Sequence, residues 1–359
     1  MDRLLCIINN MNMGGAETFL MKVYRTIDRS RYQMDFCISV TEKCDYEDEI
    51  VQMGGRIFRI VPKSENQKEF KKQLTKIIKD NTYKSVLRIT SNAAGFWDLK
   101  IAKKAGAAHT IARSSNADDG SFVQSAIHHI SRALWMKYVD VKIAPSVLAA
   151  EYTFGKKAVK SGEVKKLNNG LDLSVFRYDE QAGNAVRKEF DIPQNADVIG
   201  HIGRFNTQKN HLFLIEIFNA YLKNHPGSYL MLTGTGNLEE QIKSRVSDLK
   251  IQDHVVFTGL RKDIPALLSA FDLLMLPSLY EGMPNVIIEA QACGLPCILS
   301  DTVTREADLS GGLVYLPLSD EQSWAAQAEK ILRGGRISAD MIDYDIRRVS
   351  AQFCDYCFN

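Results

Sequence analysis

The stretch Asp272–Ser300 constrains the fold more tightly than any other. "DLLMLPS" (Asp272–Ser278) and "PCILS" (Pro296–Ser300) are apolar runs of strand length, and "EGMPNVIIEAQACG" (281–294) lies between them. Pro284 suits the first position of a helix, where its missing N–H costs nothing. Val286, Ile287, Ile288, Ala290 and Ala292 form a mostly apolar helical run, and Gly294 is placed to end it in a left-handed conformation. Strand, loop, helix over 284–293 and strand make a βαβ unit of a parallel sheet. The loop 281–283 then lies at the carboxyl edge of that sheet, where open α/β folds bind ligands. The helix start presents N–H groups and partial positive charge, which suit an anion such as phosphate.

The same alternation runs through the whole chain. Strand patterns at 3–9, 34–40, 56–61, 85–90, 109–114 and 141–146 are interleaved with helical ones at 14–27 and 67–80 in the first half. The second half repeats the scheme: strands at 197–205, 228–236 and 254–260, a helix at 211–224, then the 272–300 unit. Between the halves, "LNNGLDLSVF" has turn chemistry. The expected organisation is a domain over 1–168 and a second over 169–340. A closing helix at about 341–359 packs back onto the first. Two such α/β halves imply a cleft between them.

Composition excludes several classes. No run reaches the about 18 apolar residues that a membrane helix requires. The opening "MDRLLCIINNMNMGG" reads as a buried first strand rather than a signal peptide. Seven cysteines without framework spacing then read as reduced thiols in the cytoplasm. Cys354 and Cys357 form a C-x-x-C at the tail, but a zinc site needs a second ligand pair and none is apparent. Net charge is only +2, yet residues 1–168 hold 28 basic and 18 acidic side chains, and residues 169–359 hold 17 and 25. A basic half joined to an acidic one suggests that the first half meets something anionic, although uneven surface charge explains it equally well.

Four loops gather at the carboxyl edge expected for the second sheet. "GRFNTQKN" places Gly203, Arg204 and Lys209 directly after a strand, and two cations there can hold a diphosphate, arginine by its fork and lysine as a point charge. "TGTGN" (233–237), which contains Gly234, and "FTGLRKDI" (257–264), which contains Leu260 and Arg261, end further strands. The 281–285 loop is the fourth. In the first half, Gly14 and Gly15 follow the first strand, and the pair reads either as a tight turn or as close backbone approach to a phosphate or sugar. A G-x-G-x-x-G fingerprint is absent there. Carboxylates accept hydrogen bonds from sugar hydroxyls, so Glu289 can reach a ribose and Glu281 a different sugar. Phosphates then lie at the helix start between them. Sugar, diphosphate and ribose are the parts of a nucleotide sugar.

These residues resemble a known family. E-G-M-P-N-V-I-I-E looks like the E-x7-E motif of glycosyltransferase family 4, which comprises retaining enzymes of the GT-B fold. G-R-F-N-x-x-K-N resembles that family's phosphate loop, N-N-G-L-D-L-S-V-F its linker and M-G-G-A-E its N-terminal loop. The match runs nearly end to end and is closest to bacterial enzymes of exopolysaccharide or capsule synthesis. It implies two Rossmann-like domains facing a central cleft. It also implies transfer of a sugar from a nucleotide donor, UDP above all, to a saccharide or lipid-linked acceptor. In the implied roles, Arg204 and Lys209 stabilise the leaving diphosphate. Glu289 binds the ribose, and Glu281 holds the donor sugar and phosphates together with Gly282, Met283, Pro284 and Asn285. Gly14, Gly15, Gly203 and Gly234 line the donor, and Leu260 and Arg261 lie near the base. The family needs no metal ion or other cofactor, and nucleic acid is not an expected partner.

One departure stands out. Where many relatives carry H-S-H on the acceptor side, this chain reads Arg113-Ser114-Ser115-Asn116. Arg113, Ser115 and Asn116 are therefore the acceptor-side candidates, and Arg113 meets either an anionic acceptor or a structural ion-pair partner. His128 and His129 lie close in sequence but match no motif. The lysines of 68–79 and 156–166 suggest attraction to the inner face of a membrane, worth roughly 1 kcal/mol per basic residue at an anionic surface. Two other readings stay open: an epimerase or phosphorylase on the same fold, and a nucleotide-sugar sensor without turnover.

Overall fold

The computed structural model describes residues 1–115 and 122–358, with only the backbone for 122–124. The chain divides into two compact units, Met1–Leu171 with Ile342–Asn359, and Asp172–Met341.

The first unit is built on seven parallel strands: β1 (Asp2–Ile7), β2 (Tyr32–Ile38), β3 (Ile57–Arg59), β4 (Ser85–Thr90), β5 (His109–Ser114), β6 (Val141–Ala144) and β7 (Val164–Lys166). Their order is β3-β2-β1-β4-β5-β6-β7. A sheet buried on both faces has continuous apolar strands, and β2 and β4 are buried at every position. One face packs on the helices Gly15–Thr26 and Ile346–Cys357, through Leu20, Val23, Val349 and Phe353. The other packs on Gln67–Asp80, Phe96–Ala105 and Val147–Phe154, through Phe70, Leu74, Leu99 and Phe154. The helix Gln67–Asp80 has the bounds that its apolar spacing predicts, and the Asn66 side chain caps its start.

The C-terminal helix Ile346–Cys357 belongs to this unit although 170 residues of the other separate it in sequence. It is entered through a parallel bridge between Leu171 and Asp345, and it seats Phe353 edge-on against Phe19 at 6.1 Å.

The second unit holds six parallel strands: β8 (Val198–Ile202), β9 (Tyr229–Thr233), β10 (Val255–Gly259), β11 (Leu273–Leu276), β12 (Cys297–Ser300) and β13 (Val314–Leu316). Their order is β10-β9-β8-β11-β12-β13. The strands run outward from β8 in one direction and from β11 in the other, so the order reverses between these two. Connections leaving neighbouring strands there diverge to opposite faces of the sheet and open a crevice at its carboxyl edge. The expected βαβ unit is β11, the helix Asn285–Ala292 and β12. Pro284 caps that helix rather than starting it, and Gly294 ends it at φ +68°.

The edge strands β7 and β13, of three residues each, went unread in the sequence.

The C-terminal helix is structural to its unit. Phe353→Ala, at a fully buried position, is expected to destabilise that unit by about 3–5 kcal/mol. Denaturant unfolding followed by circular dichroism measures this, and a change below about 1 kcal/mol would show that the helix is merely appended.

Candidate functional site

The loops after β8 and β11 flank the reversal point of the second sheet. The 203–210 loop is fixed at its base by its neighbour after β9. Gly203 N donates to Thr233 O at 3.0 Å, Phe205 N to Thr235 O at 2.9 Å, and Leu238 N to Phe205 O at 3.1 Å. Gly234 N in turn donates to Gly259 O at 3.0 Å, which ties in the end of β10. Gly234 sits at φ +134°, and a β-carbon there would lie 2.1 Å from Gly203 O. The sequence therefore needs glycine at 234 both for backbone conformation and for the approach of two main chains.

On its other side the 203–210 loop is sewn to the loop after β11. Leu279 N donates to Gln208 O at 2.8 Å, and Gln208 Nε2 donates to Tyr280 O at 2.9 Å. The decisive contact follows: Lys209 Nζ donates to Glu281 Oε1 at 2.5 Å, with both side chains largely buried. Two residues 72 apart in sequence, singled out for different motifs, meet at the sheet's ligand edge. Arg204 is exposed in the same loop, and its guanidinium makes no hydrogen bond or ion pair with the described residues. Gly282, Met283 and Pro284 lead into the Asn285–Ala292 helix, whose start no side chain caps. Glu289 lies half-buried in that helix.

The other candidates divide. Leu260 is 80 % exposed beyond β10. Arg261 beside it is committed to carboxylates: Nη2 reaches Glu189 Oε2 at 2.9 Å and Asp263 Oδ2 at 2.6 Å, and Nε reaches Asp263 Oδ1 at 2.9 Å. These bonds raise its pKa further and leave its charge compensated. Gly14 and Gly15 lie in the first unit, where Gly14 caps the Gly15–Thr26 helix. Ser115 is exposed just after β5, and Asn116 lies outside the described residues.

Arg113 corrects the expectation of an acceptor-binding cation. It points from the interior strand β5 into the core and is 2 % exposed. Its Nη2 donates to Asn169 Oδ1 at 2.6 Å, and its guanidinium lies 3.6 Å from the Phe19 ring centre. Burial lowers its pKa. Among the described residues no carboxylate pairs with it. Sequence spacing places a residue on a strand but does not say which face of a doubly covered sheet it enters.

Sequence reasoning missed two histidines that bracket the 203–210 loop. His201 is the penultimate residue of β8 and His211 starts the helix His211–Leu222, and both are buried. Their rings pack edge to face with centres 4.6 Å apart, and His211 meets Phe205 at the same separation. His201 Nδ1 donates to Met275 O at 2.8 Å, which leaves Nε2 as a bare acceptor beneath Gly203 and the Lys209 stem. Burial holds both imidazoles neutral, His211 down to about 4, and the Lys209 charge acts in the same direction. The residues flanking "GRFNTQKN" were the available signal. The tail cysteines are buried with their thiols pushed up by desolvation, as Cys357 shows most strongly. Among the described residues no cluster of three histidine, cysteine or acidic side chains could hold a metal ion.

The chain is 33% identical over 348 residues to EpsF of Bacillus subtilis (strain 168), a protein named as a glycosyltransferase, which covers 95% of this chain and 90% of the relative. The chain belongs to the glycosyltransferases. The family model "Glycosyl transferases group 1" matches residues 196–334, which hold every candidate of the second unit. A shorter match, 35% identical over 142 residues and covering 39% of this chain and 37% of the relative, is to the Escherichia coli UDP-Gal:alpha-D-GlcNAc-diphosphoundecaprenol alpha-1,3-galactosyltransferase. Among solved structures, Anabaena Alr3699/HepE in complex with UDP and glucose superposes with a TM-score of 0.78 at 18% identity over 99% of both chains. The fold of this glycosyltransferase is GT-B, made of two Rossmann-like parallel-sheet domains.

The buried histidine pair makes the second unit acid-sensitive. Both groups bind protons in the unfolded chain near their ordinary 6.5 but resist them when folded. Their contribution is therefore complete above about pH 6.5 and is lost as the pH falls towards 4. Melting temperatures between pH 7.5 and 4.5 are expected to fall more steeply for the native chain than for His211→Leu. Parallel curves would show that the pair does not carry the effect.

Proposed function

We propose that this glycosyltransferase moves a sugar from a UDP-sugar to a saccharide carried on a lipid, with retention of configuration, in exopolysaccharide or capsule synthesis. The observation that carries the reading is the meeting of Lys209 and Glu281 at the reversal point of the second sheet. Before donor arrives, each satisfies the other. A diphosphate entering this edge offers Lys209 a stronger anionic partner, and the released Glu281 carboxylate can then accept hydrogen bonds from sugar hydroxyls. Arg204 in the same loop adds a bidentate donor, and the Asn285–Ala292 helix directs its positive end at the phosphates. Glu289 takes the ribose.

The chemistry is departure of a nucleoside diphosphate, and negative charge grows on it in the transition state. Preorganised cations at that point lower the barrier. Arg204 and Lys209 supply the charge, and no metal ion is assigned to the reaction. The acceptor proton goes to the departing phosphate on the same face of the sugar, which gives retention. Relatives' names support the nucleotide and the lipid: the Escherichia coli enzyme is named for UDP-Gal and a diphosphoundecaprenol acceptor, and the superposed Anabaena structure holds UDP. Gly14 and Gly15 contribute backbone to the donor, Leu260 and Arg261 lie towards the base, and Ser115 and Asn116 serve the acceptor side. The enzyme works in the cytoplasm at the inner face of the membrane, drawn by the lysines of 68–79 and 156–166. Among the described residues no helix is long and apolar enough to cross a membrane.

UDP or a UDP-sugar is expected to raise the melting temperature by mass action, and labelled donor with a lipid-linked saccharide is expected to give an α-linked product from an α-linked donor. Lack of any shift with UDP, or an epimer as the only product, overturns the proposal. Arg204→Ala and Lys209→Ala are each expected to lower kcat by about 10²–10³, the scale for one preorganised charge donor. Glu281→Gln separates the two halves of the mechanism. It frees Lys209, so UDP is expected to bind at least as tightly as to the native chain while transfer collapses. Loss of UDP binding in Glu281→Gln would show instead that the carboxylate orders the loop.

A further inference from the structure

The imidazole of His201 holds an acceptor that no group in the donor-free chain uses. Its Nδ1 gives its hydrogen to Met275 O at 2.8 Å, so in the neutral ring Nε2 carries the lone pair. Burial keeps the ring neutral, and the neighbouring His211 and the Lys209 charge act in the same direction. His201 is 0 % exposed, and its Nε2 has no hydrogen-bond partner among the described residues. The large majority of buried side-chain polar atoms are paired, so one left open against a functional loop calls for an explanation. The ring is held in place on two sides. Met275 O fixes one edge, and the His211 ring packs against it with centres 4.6 Å apart and planes at 72°.

Lys209 is the donor placed to use it. A β-carbon on Gly203 would lie 3.0 Å from His201 Nε2, 3.2 Å from Lys209 Cε and 3.3 Å from Lys209 Cδ. One small space thus separates the bare nitrogen from the end of the lysine stem, and glycine at 203 keeps it open. His211 also carries an N–H, but its ring meets His201 edge to face and is wedged against Phe205. The Lys209 ammonium instead turns on a flexible stem and has three hydrogens to give. In the donor-free chain one of them goes to Glu281 Oε1 at 2.5 Å. When Lys209 exchanges Glu281 for a diphosphate, an uncharged acceptor suits the ammonium better than a second carboxylate. A carboxylate would compensate the charge that the phosphate needs, and a neutral nitrogen leaves it whole.

We propose that His201 is a positioning residue for transfer: when a diphosphate draws Lys209 from Glu281, the ammonium turns one N–H to His201 Nε2 and aims another at the departing phosphate. The proposal rests on the donor reading above and adds to it the group that takes the place of Glu281. The cation keeps its full effect on the leaving group, and its direction is set by a ring that Met275 and His211 already hold.

The two ring nitrogens are tested one at a time. Glutamine at 201 places its Oε1 near the position of Nε2, whereas asparagine places its Nδ2 near that of Nδ1–H. With a UDP-sugar and a lipid-linked saccharide, His201→Leu is expected to lower kcat/KM roughly tenfold, the scale of one hydrogen bond to a charged group. His201→Gln is expected to recover most of that loss and His201→Asn none of it. Recovery by Asn rather than by Gln assigns His201 to its bond with Met275 and overturns the proposal, as does native kcat/KM in His201→Leu. A second measurement needs neither an acceptor nor a folded His201→Leu. In the full chain labelled with 15N-histidine, saturating UDP is expected to move the His201 Nε2 signal upfield, from that of a bare ring nitrogen towards that of a hydrogen-bonded one. The signal is assigned by its absence in His201→Gln, and it is expected to stay in place in Lys209→Met. An unmoved signal in a native chain that binds UDP, or an equal movement in Lys209→Met, overturns the proposal and leaves the donor reading intact. A native chain without a UDP-induced thermal shift overturns the donor reading itself, and the proposal falls with it.

Discussion

The reversal of strand order between β8 and β11 is the constraint on which the functional reading depends. It parts the connections on either side and leaves room at the carboxyl edge. The chain fills that room with the Lys209–Glu281 ion pair. Both side chains are largely shielded from water, so neither charge is well solvated by itself, and removing one partner leaves the other costly. The pair keeps two functional groups in place without ligand, and a diphosphate can exchange with it partner for partner. The backbone bonds of Gly203, Phe205, Gly234 and Gln208 make the surrounding loops one sheet-edge assembly.

The neutral histidines beneath the loop serve the same end. A charged imidazole next to Lys209 would repel it, and burial prevents that charge at neutral pH. The loop's cations are thus held above an uncharged floor, and their field is directed to the open side. In the first unit, Arg113 shows a contrasting use of the same side chain. Buried on β5, it is spent on Asn169 and on the face of Phe19, and it knits the linker end to the sheet.

Legibility in the sequence followed the range of the interaction. Strands such as β4 and β5 and the helix Gln67–Asp80 were read to the residue because a buried strand or an amphipathic helix is specified by near neighbours. The edge strands β7 and β13 went unread, whereas β3, equally short, was legible with the apolar Ile60 and Val61 that follow it. The site loops were found because glycine and charge directly after a strand have few uses. Which charges converge was not legible: Lys209 chose Glu281, Arg261 chose Glu189 and Asp263, and Arg204 kept no protein partner among the described residues. The histidine pair was overlooked because only its place on either side of "GRFNTQKN" marks it, and neither histidine has a signature of its own.

By itself, the sequence determined two parallel α/β halves, the loops that end their strands and the family that this combination marks, since all of these depend on periodicity and spacing along the chain. Only the tertiary structure decided which face of β5 receives Arg113, which acidic group meets Lys209, and that His201 comes to lie beside the Lys209 stem. The physical reason is common to the three. A side chain's direction and partner depend on what is packed beside it from distant parts of the chain, and the energies that settle the choice arise only when those parts are brought together.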